Sequence, residues 1–483
     1  MQEFRYSGRD FSPYDDEVVD PDETGWVAPR ALGPLGARMR LPGSKSITNR
    51  ELVLSALADA PSLLRAPLLS RDTLLMIEGL RSLGVVIEEV DGDGGFGPDL
   101  RITPPAILEG STSIDCGLAG TVMRFLPPVA ALALGPVAFD GDEHARRRPM
   151  RTTVDALRAL GVDVSDDGRG ALPFSLWGRG AVAGGELAID ASSSSQFVSG
   201  LLLAAPRFEN GLTLRHTGET LPSPAHIRMT IDALSARGVE VGTPEDGVWV
   251  VPPHPIAGRE ADVEPDLSNA GPFLAAAAIA GGDVTIVGWP TGTTQVGERM
   301  PDILAEMGAV VSRVGDELTV SGSGELHGLH LDEASELAPT VAAVAALADS
   351  ETRLTGIAHL RGHETDRLAA LATEITGLGG DVTETDDGLV IRPAALHGGD
   401  WHSYADHRMA TAGALIGLAV DGVVVDDVET TAKTLPQFVG LWTAMLATAS
   451  VAPDPTGGAP TGIALPSGGD SPTGTASPTD TGA

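Results

Sequence analysis

A single cysteine, Cys116, stands in a chain of 483 residues, so neither an intramolecular disulfide nor a metal site built from several cysteines is available. Positive charge is scarce too. The 32 Lys and Arg face 66 Asp and Glu, and the net charge of -34 argues against nucleic acid or anionic membrane as main partner, because so acidic a surface repels phosphates. Lysine is the rarest base: Lys45 and Lys433 are the only two, and every other fixed cation is arginine. Aromatic residues make up 4% of the chain, which points to a core of small-residue helices packed on strands. No uncharged apolar run reaches the roughly 18 residues of a membrane span. The acidic N-terminus lacks the order of a signal peptide, so the sequence reads as a soluble, cytoplasmic protein.

What is present is organised by length and recurrence. A chain this long implies two domains or a large repeated architecture. Residues 1–35 are acidic, proline-bearing and aperiodic, as in a flexible leader, and residues 450–483 have the Pro, Thr, Gly, Ser and Asp composition of a disordered tail. Between them a polar loop leads into a small-residue apolar helix six times: GSKSITNRELVLSALA, CGLAGTVMRFLPPVAALA, SSSSQFVSGLLLAAP, DLSNAGPFLAAAAIAGG, EASELAPTVAAVAALAD and YADHRMATAGALIGLAVDG. A second helix recurs after each, usually closed by glycine and followed by a Val- or Ile-rich strand. Six such units fit two domains of three. Their polar helix starts are expected to face one cleft, where helix dipoles give a positive potential inside a negative molecule.

The stretch LPGSKSITNR, residues 41–50, ends a strand at Pro42-Gly43 and starts a helix with Ser44 or Ser46 as N-cap. Lys45 and Arg50 beside unpaired helix N–H groups make either an anion site or a turn with two surface cations. Lysine differs from arginine in being a compact charge that can lose its proton when buried. The glycine loop CGLAGTVMR, residues 116–124, permits close backbone approach to a ligand, and Cys116, with no histidine nearby in sequence, reads as a buried thiol. Arg146, Arg147 and Arg148 are adjacent, so at most one or two can enter a site. Four serines before Gln196 exceed the one that capping needs and suit a hydroxyl-rich phosphate ester. Glu336, the run Arg361–Arg367 and Asp406-His407-Arg408 place acids beside bases, as surface ion pairs do and as proton acceptors with phosphate clamps do.

With LPGSKSITNR, GLAGTVMRF, RRRPM, SSSSQF, HETDRL, DHRMA and TAKTLPQF in this order, residues 37–447 resemble the 5-enolpyruvylshikimate-3-phosphate synthase (3-phosphoshikimate 1-carboxyvinyltransferase) family. The resemblance implies an α/β fold of the two-domain, inverted α/β barrel-like enolpyruvyl transferase type, with six βαβαββ units, three per domain. One domain is then residues 45–261 and the other residues 36–44 plus 262–449. The implied reaction moves the enolpyruvyl group of phosphoenolpyruvate to the 5-hydroxyl of shikimate 3-phosphate and releases phosphate, a step toward chorismate and the aromatic amino acids. No metal or organic cofactor is implied, and the partners are the two small-molecule substrates of a monomer.

Matching positions assign Lys45, Ser46, Arg50, Ser194, Ser195, Gln196, Ser223, Glu336 and His363 to shikimate 3-phosphate. They assign Lys45, Gly120, Arg148, Gln196, Arg367, Arg408 and Lys433 to phosphoenolpyruvate. Glu336 would accept the 5-hydroxyl proton, while Glu364 with Lys45 or Lys433 would serve the methylene carbon, and domain closure would assemble these groups away from water. Three departures stand out: Glu336 for a usual aspartate, His363 for a frequent lysine and Leu118 for a common asparagine. Two other readings are a sister transferase acting on UDP-N-acetylglucosamine, whose loop cysteine is missing here before Arg148, and a non-catalytic anion-binding protein of the same fold.

Overall fold

Strands and helices alternate through residues 25–92 and 95–449, the part of the chain that the computed structural model describes. The helices are α1 (Lys45–Ala56), α2 (Arg71–Ser82), α3 (Gly120–Ala130), α4 (Glu143–Arg146), α5 (Arg151–Ala159), α6 (Gln196–Ala204), α7 (Pro224–Ser235), α8 (Leu267–Ala280), α9 (Met300–Glu306), α10 (Ala338–Ala345), α11 (Arg367–Gly377), α12 (His407–Ala419) and α13 (Phe438–Leu446). None is long and apolar enough to cross a membrane.

Six small sheets among the described residues share one pairing pattern, in which a central strand takes a parallel neighbour on one side and an antiparallel one on the other. In one of them Gly282–Val287 runs parallel to Leu35–Met39, with Gly282 opposite Leu35 and Ile286 opposite Met39. It runs antiparallel to Glu317–Gly322 on its other side. The helices that open on polar loops are largely buried, and α8 and α10 are apolar almost all round, as buried helices tend to be. Every residue of α3 is buried, and α8 buries all but its last. Small side chains let these helices approach closely; a Cβ on Gly200 of α6 would stand 2.2 Å from the Arg124 carbonyl of α3.

Among the described residues, the buried apolar ones fall into two separate clusters. One draws on residues 52–261, and the other joins Ala28, Leu35, Ala37 and Leu41 to residues 267–445. The chain passes between them twice, and the two passages lie side by side: Gly43 bridges Pro265, Ser44 N–H donates to the Glu264 carbonyl at 2.7 Å, and Asp266 N–H donates to that of Pro42 at 2.9 Å.

Two expectations change. Most of the expected leader and all of the expected tail lie outside the described residues, but residues 25–35 do not form part of a loose leader. Trp26 and Val27 pair antiparallel with Val425 and Val424, adding an edge strand to the last sheet, and Ala28 is buried in the second core. A two-residue strand has no periodicity to read, and its partner lies at the other end of the chain. The second change concerns the start of α1. Ser44 is the N-cap residue but its side chain makes no capping bond; the carboxylate of Asp266 takes the Lys45 N–H at 3.0 Å and also caps its own helix, α8, through Asn269 N–H at 2.9 Å. One buried carboxylate thus serves a helix start in each half of the molecule.

Candidate active site

The six first-helix starts meet. Ser44, Lys45 and Ser46 at α1, Gly120 and Thr121 at α3, Ser195 and Gln196 at α6, Asp266, Ser268 and Asn269 at α8, Glu336 just before α10, and His407 with Arg408 at α12 all line one cavity. Arg148, Ser194, Ser223, His363, Glu364 and Arg367 complete its wall from the intervening loops. Lys433 lies just behind Glu364 and is 3% exposed. Lys45, Arg124, Arg148, Arg367, Arg408 and Lys433 are set against Asp72, Asp266, Glu336, Glu364 and, behind Arg367, Asp406, so cations outnumber carboxylates here in a chain of net charge -34.

Glu364 is the hub on one side. Its Oε1 accepts from Lys433 Nζ at 2.6 Å and its Oε2 from Arg367 Nη2 at 2.9 Å, while Arg367 also grips Asp406 through Nε at 2.7 Å. Burial resists ionisation of Glu364, but Lys433 first and then Arg367 and Arg148 hold its carboxyl well below the usual range. Burial likewise pulls Lys433 below its ordinary value, with Glu364 opposing.

Glu336 sits across the cavity. It accepts a short hydrogen bond from Ser268, Arg408 Nη2 is 3.3 Å away and His226 Nε2 is 3.4 Å away. Burial again resists its ionisation, and Arg408, His226, the Ser268 hydroxyl and Lys45 outweigh burial, so this carboxyl too stays well below the usual range. Lys45 Nζ stands 3.4 Å from Asp72 Oδ2. The two halves touch at Ser223 Oγ and Ser335 Oγ, 2.9 Å apart, so the cleft walls are drawn together.

The glycine loop comes close enough to matter: a Cβ on Gly120 would stand 3.0 Å from both Arg124 Nη1 and Gln196 Oε1 and 3.1 Å from Arg148 Nη2. Leu118, the departure in that loop, is buried, and its carbonyl accepts from Arg148 Nη1 at 3.2 Å. Of the three adjacent arginines, Arg146 pairs with Asp140 and Arg147 with Glu143 on the surface, and only Arg148 turns inward. Cys116 is fully buried, and desolvation pushes its thiol up, away from a nucleophile's range.

Arg50 is placed differently from the sequence expectation. It lies behind the wall, 2% exposed, with Nε donating to Thr230 at 2.8 Å, Nη1 to the Ser46 carbonyl at 2.8 Å and Nη2 to the His226 carbonyl at 2.9 Å. Its guanidinium also lies 5.3 Å from the centroid of the Phe125 ring, and desolvation lowers its pKa to about 9. Thr230 and the His226 carbonyl, both on α7, take guanidinium donors and hold Arg50 against that helix.

Sequence reasoning missed several wall residues. Asp72, Arg124, His226 and His359 all face the cavity. His226 lies one turn beyond Ser223, and His359 precedes His363 by four residues, spacings that could have flagged both. Asp72 and Arg124 gave no such signal. Six buried atoms of this wall have no hydrogen-bond partner among the described residues: Asp72 Oδ1, Arg124 Nε, Arg148 Nε, Gln196 Oε1, His359 Nε2 and His407 Nδ1. Each such group costs about 1–3 kcal/mol, and their concentration here fits a wall built to meet a polar ligand.

The histidines make a stability prediction. Desolvation lowers the pKa of His226 and, more strongly, of His407, with Arg408 and Lys45 adding to it at His407. Because folded values lie below unfolded ones, the unfolded chain takes up more protons as pH falls below about 6.5. Stability is full above that pH and declines below it by up to about 1.4 kcal/mol per pH unit for each histidine. Glu336 and Glu364, held low, add a further loss below about pH 4.5. Thermal unfolding from pH 8 to 4 should show both stages; a flat profile between pH 6.5 and 5 would contradict neutral, buried histidines.

The chain matches the family described as EPSP synthase (3-phosphoshikimate 1-carboxyvinyltransferase) over residues 29–442. It is 57% identical over 424 residues to a 3-phosphoshikimate 1-carboxyvinyltransferase of Kocuria rhizophila, covering 86% of this chain and 95% of that one. The structure is similar to an EPSP synthase from Acinetobacter baumannii, with a TM-score of 0.71 at 26% identity over 87% of this chain and 97% of that one. It is similar in fold to the enolpyruvyl transferase NikO from Streptomyces tendae, with a TM-score of 0.66 at 18% identity over 86% and 95% of the two chains. A mixed α/β, two-domain architecture carrying this family's sequence over most of its length, with a cationic cleft at its helix starts, places the chain in the EPSP synthase family.

Proposed function

We propose that the cleft transfers the enolpyruvyl group of phosphoenolpyruvate to the 5-hydroxyl of shikimate 3-phosphate, with the site residues in the following roles. The observation that carries this is the convergence of six helix starts, six cations and unpartnered buried polar atoms around two ionised glutamates. Shikimate 3-phosphate lies against Lys45, Ser46, Ser194, Ser195, Gln196, Ser223, Glu336 and His363, and Arg50 props Ser46 and His226 from behind. His363 is neutral, since desolvation and then Arg367 lower its pKa well below the ordinary value, so it offers hydrogen bonds and no charge. Phosphoenolpyruvate lies against Lys45, Gly120, Arg148, Gln196, Arg367, Arg408 and Lys433, whose guanidinium forks suit its carboxylate and phosphate.

Protonation of the methylene carbon makes the neighbouring carbon electrophilic. Lys433, with its pKa drawn down by burial, is the better donor, and ionised Glu364 beside it the better acceptor when that carbon later returns a proton. The 5-hydroxyl attacks as Glu336 takes its proton, and the tetrahedral adduct expels phosphate among the arginines, which stabilise the departing charge. Domain limits at residues 44/45 and 261/262 and six βαβαββ units, three per domain, belong to the same reading; the two cores and the six like-paired sheets support them. So does action as a cytoplasmic monomer, since a net charge of -34 opposes self-association.

The test is to mix the protein with shikimate 3-phosphate and phosphoenolpyruvate and follow phosphate release. Release is expected only when both are present. Release with UDP-N-acetylglucosamine instead would select the sister transferase, and none with either would leave a binding protein.

A further inference from the structure

Helix α11 carries Arg367 in its first turn and Glu374 two turns later, on the same face. Both grip the loop that leads into α12. At one end Arg367 holds Asp406 through Nε at 2.7 Å and Nη2 at 3.1 Å. At the other, Glu374, 4% exposed, accepts from His402 N–H at 2.9 Å and from the Tyr404 hydroxyl at 2.5 Å. Between these anchors Tyr404 and Ala405 are left-handed, with φ of 56° and 54°, a conformation that side-chain-bearing residues adopt only when their surroundings impose it. The next residues are Asp406, which caps α12 by accepting from Arg408 N–H at 2.9 Å, and Arg408 itself, 3.3 Å from Glu336.

We infer that Glu374 is a positioning residue for the phosphoenolpyruvate side of the site: by holding His402 and Tyr404 it keeps two left-handed residues in place and so sets where α12 begins and where Arg408 points. Glu374 touches neither substrate; it acts through Arg408 and Asp406. Burial and the bond to Glu374 push the Tyr404 phenol up to about 12, so the hydroxyl remains a donor throughout the working range. The inference rests on the assignment of Arg408 to phosphoenolpyruvate.

Steady-state kinetics of Glu374→Ala are expected to raise KM for phosphoenolpyruvate about tenfold, with KM for shikimate 3-phosphate changed less than about twofold. Tyr404→Phe, which removes one bond and little volume, should move KM the same way by about threefold. In the Glu374→Ala background, Tyr404→Gly and Ala405→Gly together should recover most of the loss, because glycine adopts the left-handed conformation unaided. Equal changes in both KM values, or a lowered melting temperature with wild-type kinetics in Tyr404→Phe, would reduce Glu374 to a packing role. Amide hydrogen exchange over residues 405–410 gives a readout independent of turnover. It should rise in Glu374→Ala, and unchanged exchange would overturn the inference. Absence of turnover in the unaltered protein would instead count against the assignment of Arg408.

Discussion

Lys45→Met is expected to lower kcat by about 10³-fold or more while leaving a folded protein. Lys45 is one of two lysines in the chain, and both stand at the same cleft. Its backbone N–H is held by Asp266, from the other half of the molecule, so the position of the residue does not depend on its side chain. What the methionine removes is a charge that faces Asp72 and contributes to the ionisation of Glu336. The fold should survive because Asp72 is the single carboxylate left without its cation, at a cost of about 1–3 kcal/mol against a typical total of about 5–15. Lys45→Arg should fail almost as badly, since a planar guanidinium does not reproduce the compact charge of an ammonium. Phosphate release and circular dichroism on the same samples decide it: near wild-type turnover in Lys45→Met would remove Lys45 from the chemistry.

The largest loss of stability is expected behind the cavity wall, in Glu51→Ala. Arg237 lies two residues past the end of α7 with its side chain 0% exposed, and its guanidinium donates to Glu51 Oε2 at 2.6 Å and 3.1 Å. Ser55, Ser62 and the Ala257 carbonyl take most of its remaining donors. Desolvation lowers the Arg237 pKa and Glu51 opposes that, so the carboxylate is what keeps the buried charge tolerable. Removing it leaves an unpaired buried cation, a loss of about 3–5 kcal/mol, whereas Glu51→Leu with Arg237→Met should lie close to the parent, because both desolvated charges disappear together. Denaturant unfolding of the single and double variants reads the contrast; a single variant that loses less than about 1 kcal/mol would mean that Arg237 finds other compensation. The pair joins α1, which starts at Lys45, to α7, which carries His226, and so holds two walls of the site in register.

How much was legible beforehand can be judged residue by residue. The rarity of lysine pointed to Lys45 and Lys433 because composition bias had emptied the ordinary surface positions of that residue. The recurrence of polar loop and small-residue helix pointed to the convergence now seen at Ser46, Gly120, Gln196, Glu336 and Arg408, since a helix start is a local pattern of cap and apolar run. Adjacency arithmetic foretold that the three arginines would part company, and Arg148 alone turned inward. Arg50 shows the limit of such reasoning. Its type and its place near a helix start suited an anion, yet α7 and α3 offer it Thr230, the His226 carbonyl and the Phe125 ring, and these contacts hold it behind the wall.

The chain's own order of residues was enough to determine the kind of fold, the family and most of the groups that meet at the cleft, because caps and apolar periodicity are short-range and motif order is read linearly along the chain. Tertiary structure alone decided which residues share a charge. Asp266 caps helices in both halves, Glu364 is shared by Lys433 and Arg367, and Glu336 meets His226 and Arg408 from different elements. Electrostatic coupling depends on distance through space and on burial, and neither is written in sequence spacing. The state of each ionisable group in this cleft therefore emerges only when the chain is folded.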